Sequence, residues 1–366
     1  MEALRVEQKA KSLLRLAAQQ NASDLHLAVG RYPTLRIDGK LYPLTQEKIL
    51  TPEDTKAFSE YLLSEHQKKD LIKDGHVDFS YNLEDKVRFR TNIFYQKGFT
   101  GIVMRVVNTA IRSLDELNIP DIVYEFTKFS QGLFLVTGPV GHGKSTTLAA
   151  LIEYINHTRD HHIVTVEDPI EYVYEQDRCI INQREIGQDA HSFPNALRAA
   201  LREDTNVIMI GEMRDLETIG TAITAAETGH LIFATLHTND SAQTIDRIVD
   251  IFPAHQQNQI RAQLANVLLG VVSQRLLPHT NGGRIPALEI MLKNNAIENL
   301  IRENKTYQID TVIETSLKEG MISLDKSLAM LLQKNAITMD HAVTYAKNRD
   351  YLRMLTNKEH LNDELE

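Results

Sequence analysis

Residues 138–145 read Gly-Pro-Val-Gly-His-Gly-Lys-Ser, a full match to the pattern G-x-x-x-x-G-K-[ST]. This run constrains the fold more than any other. Such a loop works only between a buried strand and a helix, where backbone N–H groups wrap a polyphosphate at the helix N-terminus. Both flanks comply. Leu133-Phe134-Leu135-Val136-Thr137 is a short apolar, β-rich run, and Leu148, Leu151, Ile152 and Ile155 recur at helical spacing. Gly138, Pro139, Val140, Gly141, His142, Gly143, Lys144, Ser145 and Thr146 are therefore the expected nucleotide-binding residues. Lys144 is expected to reach the β- and γ-phosphates, and the Ser145 hydroxyl to join a Mg²⁺ shell. The ligand class is a nucleoside triphosphate, with ATP and Mg²⁺ as the expected pair.

Composition narrows the rest. With 366 residues the chain has length for two domains, each with a proper core. One cysteine, Cys179, excludes a disulfide framework and any four-cysteine zinc site, and fits a reducing compartment. No apolar run approaches the ~20 residues of a membrane span, so direct membrane insertion is not expected. The first residues are charged from Glu2 onward and lack a signal-peptide core. A net charge of −9 argues against a large footprint for nucleic acid.

The first hundred residues read as a small α+β domain on an antiparallel sheet. An amphipathic helix over 4–20 carries Leu4, Leu13, Leu14, Leu16 and Ala17 on its apolar side. Residues 24–29 alternate like a strand, and Asp38-Gly39 is a hairpin-turn signal. A helix over 53–72 and strands at 77–82, 86–95 and 99–107 complete the domain, which is taken as 1–108. A linker is expected over 109–120. From there to 356, strands at 132–137, 162–167, 206–211, 231–237 and 285–291 alternate with helices near 144–156, 192–203, 215–228 and 241–275. Asp215 is an expected N-cap and Gly229 an expected C′ residue. Alternation of this kind predicts an α/β domain, a parallel sheet with helices on both faces, followed by a helical region in which Leu300, Ile301, Leu328, Leu331 and Leu332 are buried. The charged tail over 357–366 is expected to fray.

Triphosphate hydrolysis needs a metal clamp, a group that orients water and positive charge on the γ-phosphate. Val166-Glu167-Asp168-Pro169-Ile170-Glu171 ends a strand in three carboxylates. Glu171 is the expected water-polarising group, and Glu167 and Asp168 are expected to support the metal. Ile210-Gly211-Glu212 ends a second buried strand, and the length of Glu212 suits contact with Mg²⁺ through a water. His230 and His237 bracket the next strand, with His237 at its carboxyl end better placed to sense the γ-phosphate. His142 lies inside the loop, and the sequence leaves open whether it faces solvent or phosphate. Arg88 and Arg90 share one face of a strand, opposite Val87, Phe89 and Ile93, and Arg105 lies on the neighbouring strand. Such a row is usually a solvated face, but arginine supplied to a γ-phosphate accelerates NTP hydrolysis by roughly 10³–10⁵-fold.

These motifs, in this order, resemble the PilT family of type IV pilus retraction ATPases, hexameric secretion ATPases with a RecA-like core. The resemblance runs from Ser23-Asp24-Leu25-His26-Leu27 to about residue 350. It rests most specifically on Gly211 to Thr218 followed by Thr224-Ala225-Ala226-Glu227-Thr228-Gly229-His230, and on His237-Thr238. It implies a PAS-like first domain, a RecA-like second domain and a ring of six copies. It also implies that Glu171 and Glu212 are essential acids and that Arg88, Arg90 and Arg105 line the nucleotide cleft. The ring would be cytoplasmic and peripheral, docked on an inner-membrane pilus platform protein, with a paralogous retraction ATPase as a further expected partner. It would power pilus disassembly and twitching motility. Ala296 to Glu303 resembles the retraction signature AIRNLIRE, with Glu298 in place of its first arginine. Val140 and His142 depart from the family's usual Thr and Ser. A PilU-like accessory role and a RecA-like nucleic-acid translocase are the alternatives. The extension and type II secretion relatives carry a longer N-terminal region and commonly a four-cysteine zinc motif, unlike this chain.

Overall fold

The computed structural model describes residues 2–37, 39–83, 87–107 and 110–356. Asp38 of the expected hairpin turn, Lys86 of the expected strand over 86–95, Asn108 and Thr109 at the expected domain end and linker start, and the tail 357–366 lie outside the described residues. The chain forms two compact units, Met1–Ala110 with Pro169–Val173, and Ile111–Asp168 with Tyr174–Glu366.

In the first unit, α1 (Glu2–Gln19) buries Ala10, Leu13, Leu14 and Ala17, whereas Leu4 is 60% exposed because burial begins only at Ala10. There follow β1 (Asp24–Leu27), β2 (Thr34–Ile37), β3 (Lys40–Pro43), α2 (Pro52–Leu62), α3 (Glu65–Asp74), β4 (His76–Leu83), β5 (Val87–Gln96) and β6 (Phe99–Val107). Where the spacing predicts one helix over 53–72, there are two. Ser64 starts α3 with a capping box, its side chain accepting from the Gln67 N–H while Gln67 reaches back to the Ser64 N–H. The sheet order is β3-β2-β1-β6-β5-β4, antiparallel throughout. Phe89 and Ile93 point into the core, as their alternation requires.

The second unit contains β7 (Gly132–Thr137), α4 (Lys144–Thr158), β8 (His162–Glu167), β9 (Ile180–Glu185), α5 (Phe193–Ala200), β10 (Val207–Ile210), α6 (Leu216–Glu227), β11 (Leu231–Leu236), α7 (Ser241–Asp250), α8 (Ala254–Val267), β12 (Leu268–Pro278) and β13 (Arg284–Leu292). Sheet order is β13-β12-β7-β11-β10-β8-β9. All neighbours run parallel except β12 and β13. Strands β7, β10 and β11 are buried at every position, as a sheet covered on both faces demands. The Asp215 side chain caps α6 by accepting from the Thr218 N–H at 2.8 Å.

Two strands depart from the sequence reading. Strand β9 is an edge strand, so one side meets solvent and its polar residues conceal it. The helix expected near 241–275 is instead two helices and β12, whose apolar run has both faces buried and therefore lacks the two-residue alternation of a half-buried strand. Helices α9 (Asn295–Arg302), α10 (Ile309–Thr315), α11 (Leu324–Gln333), α12 (Met339–Tyr345) and α13 (Arg349–Thr356) end the described chain. Ile301 and Leu328 are buried, and Leu300, Leu331 and Leu332 half-buried.

Candidate functional site

The phosphate loop leaves β7 at the carboxyl edge of the sheet and enters α4 at Lys144. The connection from β7 crosses toward β8 and that from its neighbour β11 crosses back to β12, so the loop opens where connections from adjacent strands leave in opposite directions. Open α/β sheets bind their ligands at that place. Gly138 has φ +141°, and a Cβ there would lie 2.4 Å from the Gln274 carbonyl oxygen. Only glycine lets the loop pass so close to β12.

That neighbouring strand holds the loop in several places. Thr137 donates to the Ser273 hydroxyl at 2.9 Å, and Thr147 donates to Gln274 Oε1 at 2.8 Å. The Leu276 N–H donates to His142 Nδ1 at 2.9 Å, and Arg284 donates to the Gly141 carbonyl at 3.2 Å. His142 is thus a neutral acceptor tied to β12. Burial, with Arg275, Lys144 and Arg284 nearby, holds its imidazole below the ordinary value. Val140 stands 81% exposed at the loop's tip. Sequence reasoning missed Gln274 because it read 241–275 as helix, and Leu276 and Arg284 because it placed no element over 276–284. Gly270 and Pro278 framing a Val- and Leu-rich run were the available signal.

Lys144 is buried and donates to the Gly138 and Pro139 carbonyls at 2.8 and 3.0 Å. Its ammonium also stands 3.2 Å from His237 Nδ1. An ammonium only donates, so Nδ1 accepts and the ring proton falls on Nε2. Nε2 lies 3.5 Å from Glu212 Oε2, which pairs in turn with Arg214 at 2.7 Å. Lys144, His237 and Glu212, drawn from three strand ends, therefore form one charged chain across the sheet's carboxyl edge. The Arg214 pairing joins the residue next to Asp215 to that chain and leaves the Asp215 carboxylate to its cap.

The remaining candidates are placed as follows. Glu167 is buried at the end of β8 and accepts from the Thr165 hydroxyl at 2.7 Å. It lies beside the start of the Glu212 segment, since a Cβ on Gly211 would meet Glu167 Cα at 3.3 Å. Asp168 is exposed, and Glu171 is exposed in the segment that groups with the first unit. His230 stands at the amino end of β11, its carbonyl accepting from the Gly132 N–H and its Nδ1 3.1 Å from the Ala225 carbonyl. A strand separates its two ends by about 3.3 Å per residue. His230 is therefore not gathered with His237. In the first unit, Arg105 Nε donates to Asp24 Oδ1 at 2.9 Å, and Arg90 is Arg105's register partner. Arg88 donates to Asn82 at 3.4 Å on the same face. No group of three or more His, Cys, Asp and Glu poised for a metal exists among the described residues. The oxygen donors near the loop, the Ser145 hydroxyl and the Glu167 and Glu212 carboxylates, are of the kind Mg²⁺ takes, one or two carboxylates with water and phosphate oxygens completing the shell.

Comparison with known proteins agrees with this geometry. A family model described as "Type II/IV secretion system protein" matches residues 2–339. The type IV pilus retraction ATPase PilT of Pseudomonas aeruginosa is 44% identical over 335 residues, covering 92% of this chain and 97% of that protein. A twitching motility protein of Neisseria gonorrhoeae is 43% identical over 340 residues, 93% of this chain and 91% of that one. The crystal structure of the pilus retraction motor PilT with bound ADP matches with a TM-score of 0.87 at 46% identity, covering 94% and 98% of the two chains. Full-length identity at this level, with the phosphate loop intact, assigns the protein: the chain belongs to the type II/IV secretion system protein family, among its PilT-type ATPases.

Proposed function

We infer that this ATPase is a ring-forming motor that powers type IV pilus retraction, and with it twitching motility. The observation that carries this reading is the near end-to-end match to a pilus retraction ATPase, 44% identical over 97% of that protein's length. The ring has six copies, lies on the cytoplasmic side at the inner-membrane base of the pilus machine, and docks on a platform protein there. A paralogous retraction ATPase is a further partner. No described helix is long and apolar enough to cross a membrane.

Within the site, backbone N–H groups of 138–145 bind the phosphates. The Lys144 ammonium, now on the loop's own carbonyls, moves to the β- and γ-phosphate oxygens. Ser145 and Glu212 would hold Mg²⁺, with Glu167 and Asp168 behind them, and the bound ion would supply charge neutralisation at the phosphoryl group. Once Lys144 turns to phosphate, His237 is released from it and faces the γ-phosphate while Glu212 orients its Nε2. Glu171 orients the attacking water. Arg88, Arg90 and Arg105 bring positive charge from the first unit, a contribution worth roughly 10³–10⁵ in rate in other NTPases. His230 has a positioning role at the start of β11.

The test is deletion in the native host, scored for surface pili, with complementation by the wild-type chain and by Lys144→Ala. Non-retracting pili that accumulate in the deletion and persist with Lys144→Ala support the reading. Bald cells would mark an extension motor, and full rescue by Lys144→Ala would remove the site assignment.

A further inference from the structure

Past His237 the chain enters a dense polar turn. The Thr238 and Thr244 hydroxyls share a 2.6 Å bond. Asn239 accepts twice from Arg275 Nη2, at its carbonyl (3.0 Å) and its side-chain oxygen (2.9 Å). Asp240 caps α7 by accepting from the Gln243 N–H at 2.8 Å. Ser241 then donates both its N–H and its hydroxyl to Glu289 Oε1, each at 2.7 Å. Glu289 lies on β13, 3% exposed, and burial pushes its carboxyl above the usual range. Its neighbouring cations are Arg275 on β12 and Lys347, between α12 and α13. The Lys347 ammonium lies 4.0 Å from Glu289, 3.5 Å from Asp240 and 2.7 Å from Asp310. The Lys347 and Asn348 N–H groups donate to the Asp325 carboxylate at 2.8 and 2.9 Å, so the backbone there is held as well.

A buried carboxylate is an unfavourable way to satisfy a helix start, because a neutral acceptor would serve without desolvating a charge. Asp240 already caps α7, so the cap does not require Glu289. What the acid adds is a charged link from the turn carrying His237 to a lysine in the C-terminal helices. Register adds a second connection. Glu289 pairs with Ser273 across β12 and β13, and Ser273 accepts from Thr137, the residue before the phosphate loop.

We propose that Glu289 and Lys347 are positioning residues for ATP hydrolysis, fixing the turn 237–241 so that His237 keeps its place beside Glu212 when Lys144 turns to phosphate. The C-terminal helices thereby set the geometry of the site without touching nucleotide. This rests on the role given to His237 above.

The test measures steady-state ATP hydrolysis and binding of a fluorescent ADP analogue by the full chain carrying Lys347→Met, Lys347→Arg, His237→Ala, or Lys347→Met with His237→Ala. Lys347→Met should lower kcat about tenfold or more, with KM and analogue affinity within about twofold, because misplacement of a positioned group costs rate while the loop itself is untouched. Lys347→Arg, which restores a cation among the same carboxylates, should keep most of kcat. In the His237→Ala background Lys347→Met should lower kcat no further, since both act through one side chain. Multiplied losses in the double variant, or a parallel loss of analogue affinity, would mean a merely structural role and overturn the proposal. Full activity in Lys347→Met beside an impaired His237→Ala overturns this inference alone, and full activity in His237→Ala overturns the role of His237 with it. If Lys347→Met does not fold, Glu289→Gln keeps an oxygen for Ser241, removes the charge, and must give the same pattern.

Discussion

At the scale of single residues, tertiary contacts explain both departures in the family motifs for which the structure gives partners. His142 replaces a serine of the family pattern and uses its ring nitrogen to accept from the Leu276 N–H, anchoring the loop to β12. Its imidazole is held below the ordinary value of 6.5, so the folded protein takes up this proton less readily than the unfolded chain. The anchor's contribution is complete above that ordinary value and is lost as pH falls from it toward the folded value. Wild type should therefore lose more melting temperature between about pH 7.5 and about pH 5.5 than His142→Gln, whose amide oxygen can accept without titrating. Equal losses by scanning calorimetry would refute the anchor. Glu298, the charge reversal in the retraction signature, pairs with Lys293 and Arg302, each at 3.2 Å. Two cations accommodate the exchanged sign within α9 and its approach. Nothing in the structure explains Val140.

At the scale of elements, β12 matters most to the site and was least legible. Its run reads as a continuation of α8, because a strand buried on both faces carries no alternation to distinguish it from a buried helix. Gly270 was the available hint. A Cβ there would lie 2.6 Å from Phe126 Cζ and 2.7 Å from the Met291 carbonyl oxygen, and the register with β7 shifts between Leu268 and Gly270. A glycine inside a strand often marks such a close approach. Gly270→Val should cost about 1–3 kcal/mol, the usual range for overpacking a filled core, read as a lower urea midpoint. An unchanged midpoint would show that the neighbours move aside freely. The break between α2 and α3 was legible in principle, since Ser64 and Gln67 spell a capping box, but the start after Thr51-Pro52 and the stop at Lys73-Asp74-Gly75 were read as bounding one helix. The strands ending at Thr137, Glu167, Ile210 and Leu236 were legible because their apolar runs stop where chemistry-bearing residues begin.

At the scale of the whole molecule, the arginines lie on the sheet face of one unit and the phosphate loop in the other. Hydrolysis as proposed draws on both, and the proposed ring of six supplies a reason for that division. Sedimentation with ADP present should give a mass of about six 41.6 kDa chains, and a monomer at every concentration would remove the ring from the account. The sequence by itself determined the α/β class, the triphosphate loop and the strand-end acids. Those features follow from local backbone chemistry, a strand, a glycine turn and a helix start, spelled out within a few residues. Only the tertiary structure decided that His142 anchors the loop to β12, that His230 and His237 part company, and that Glu289 and Lys347 stand behind the turn carrying His237. Those outcomes depend on partners far apart in the chain, as His142 and Leu276 are by 134 positions. Hydrogen-bond choice and burial are settled by whatever the fold brings alongside, and no local pattern encodes it.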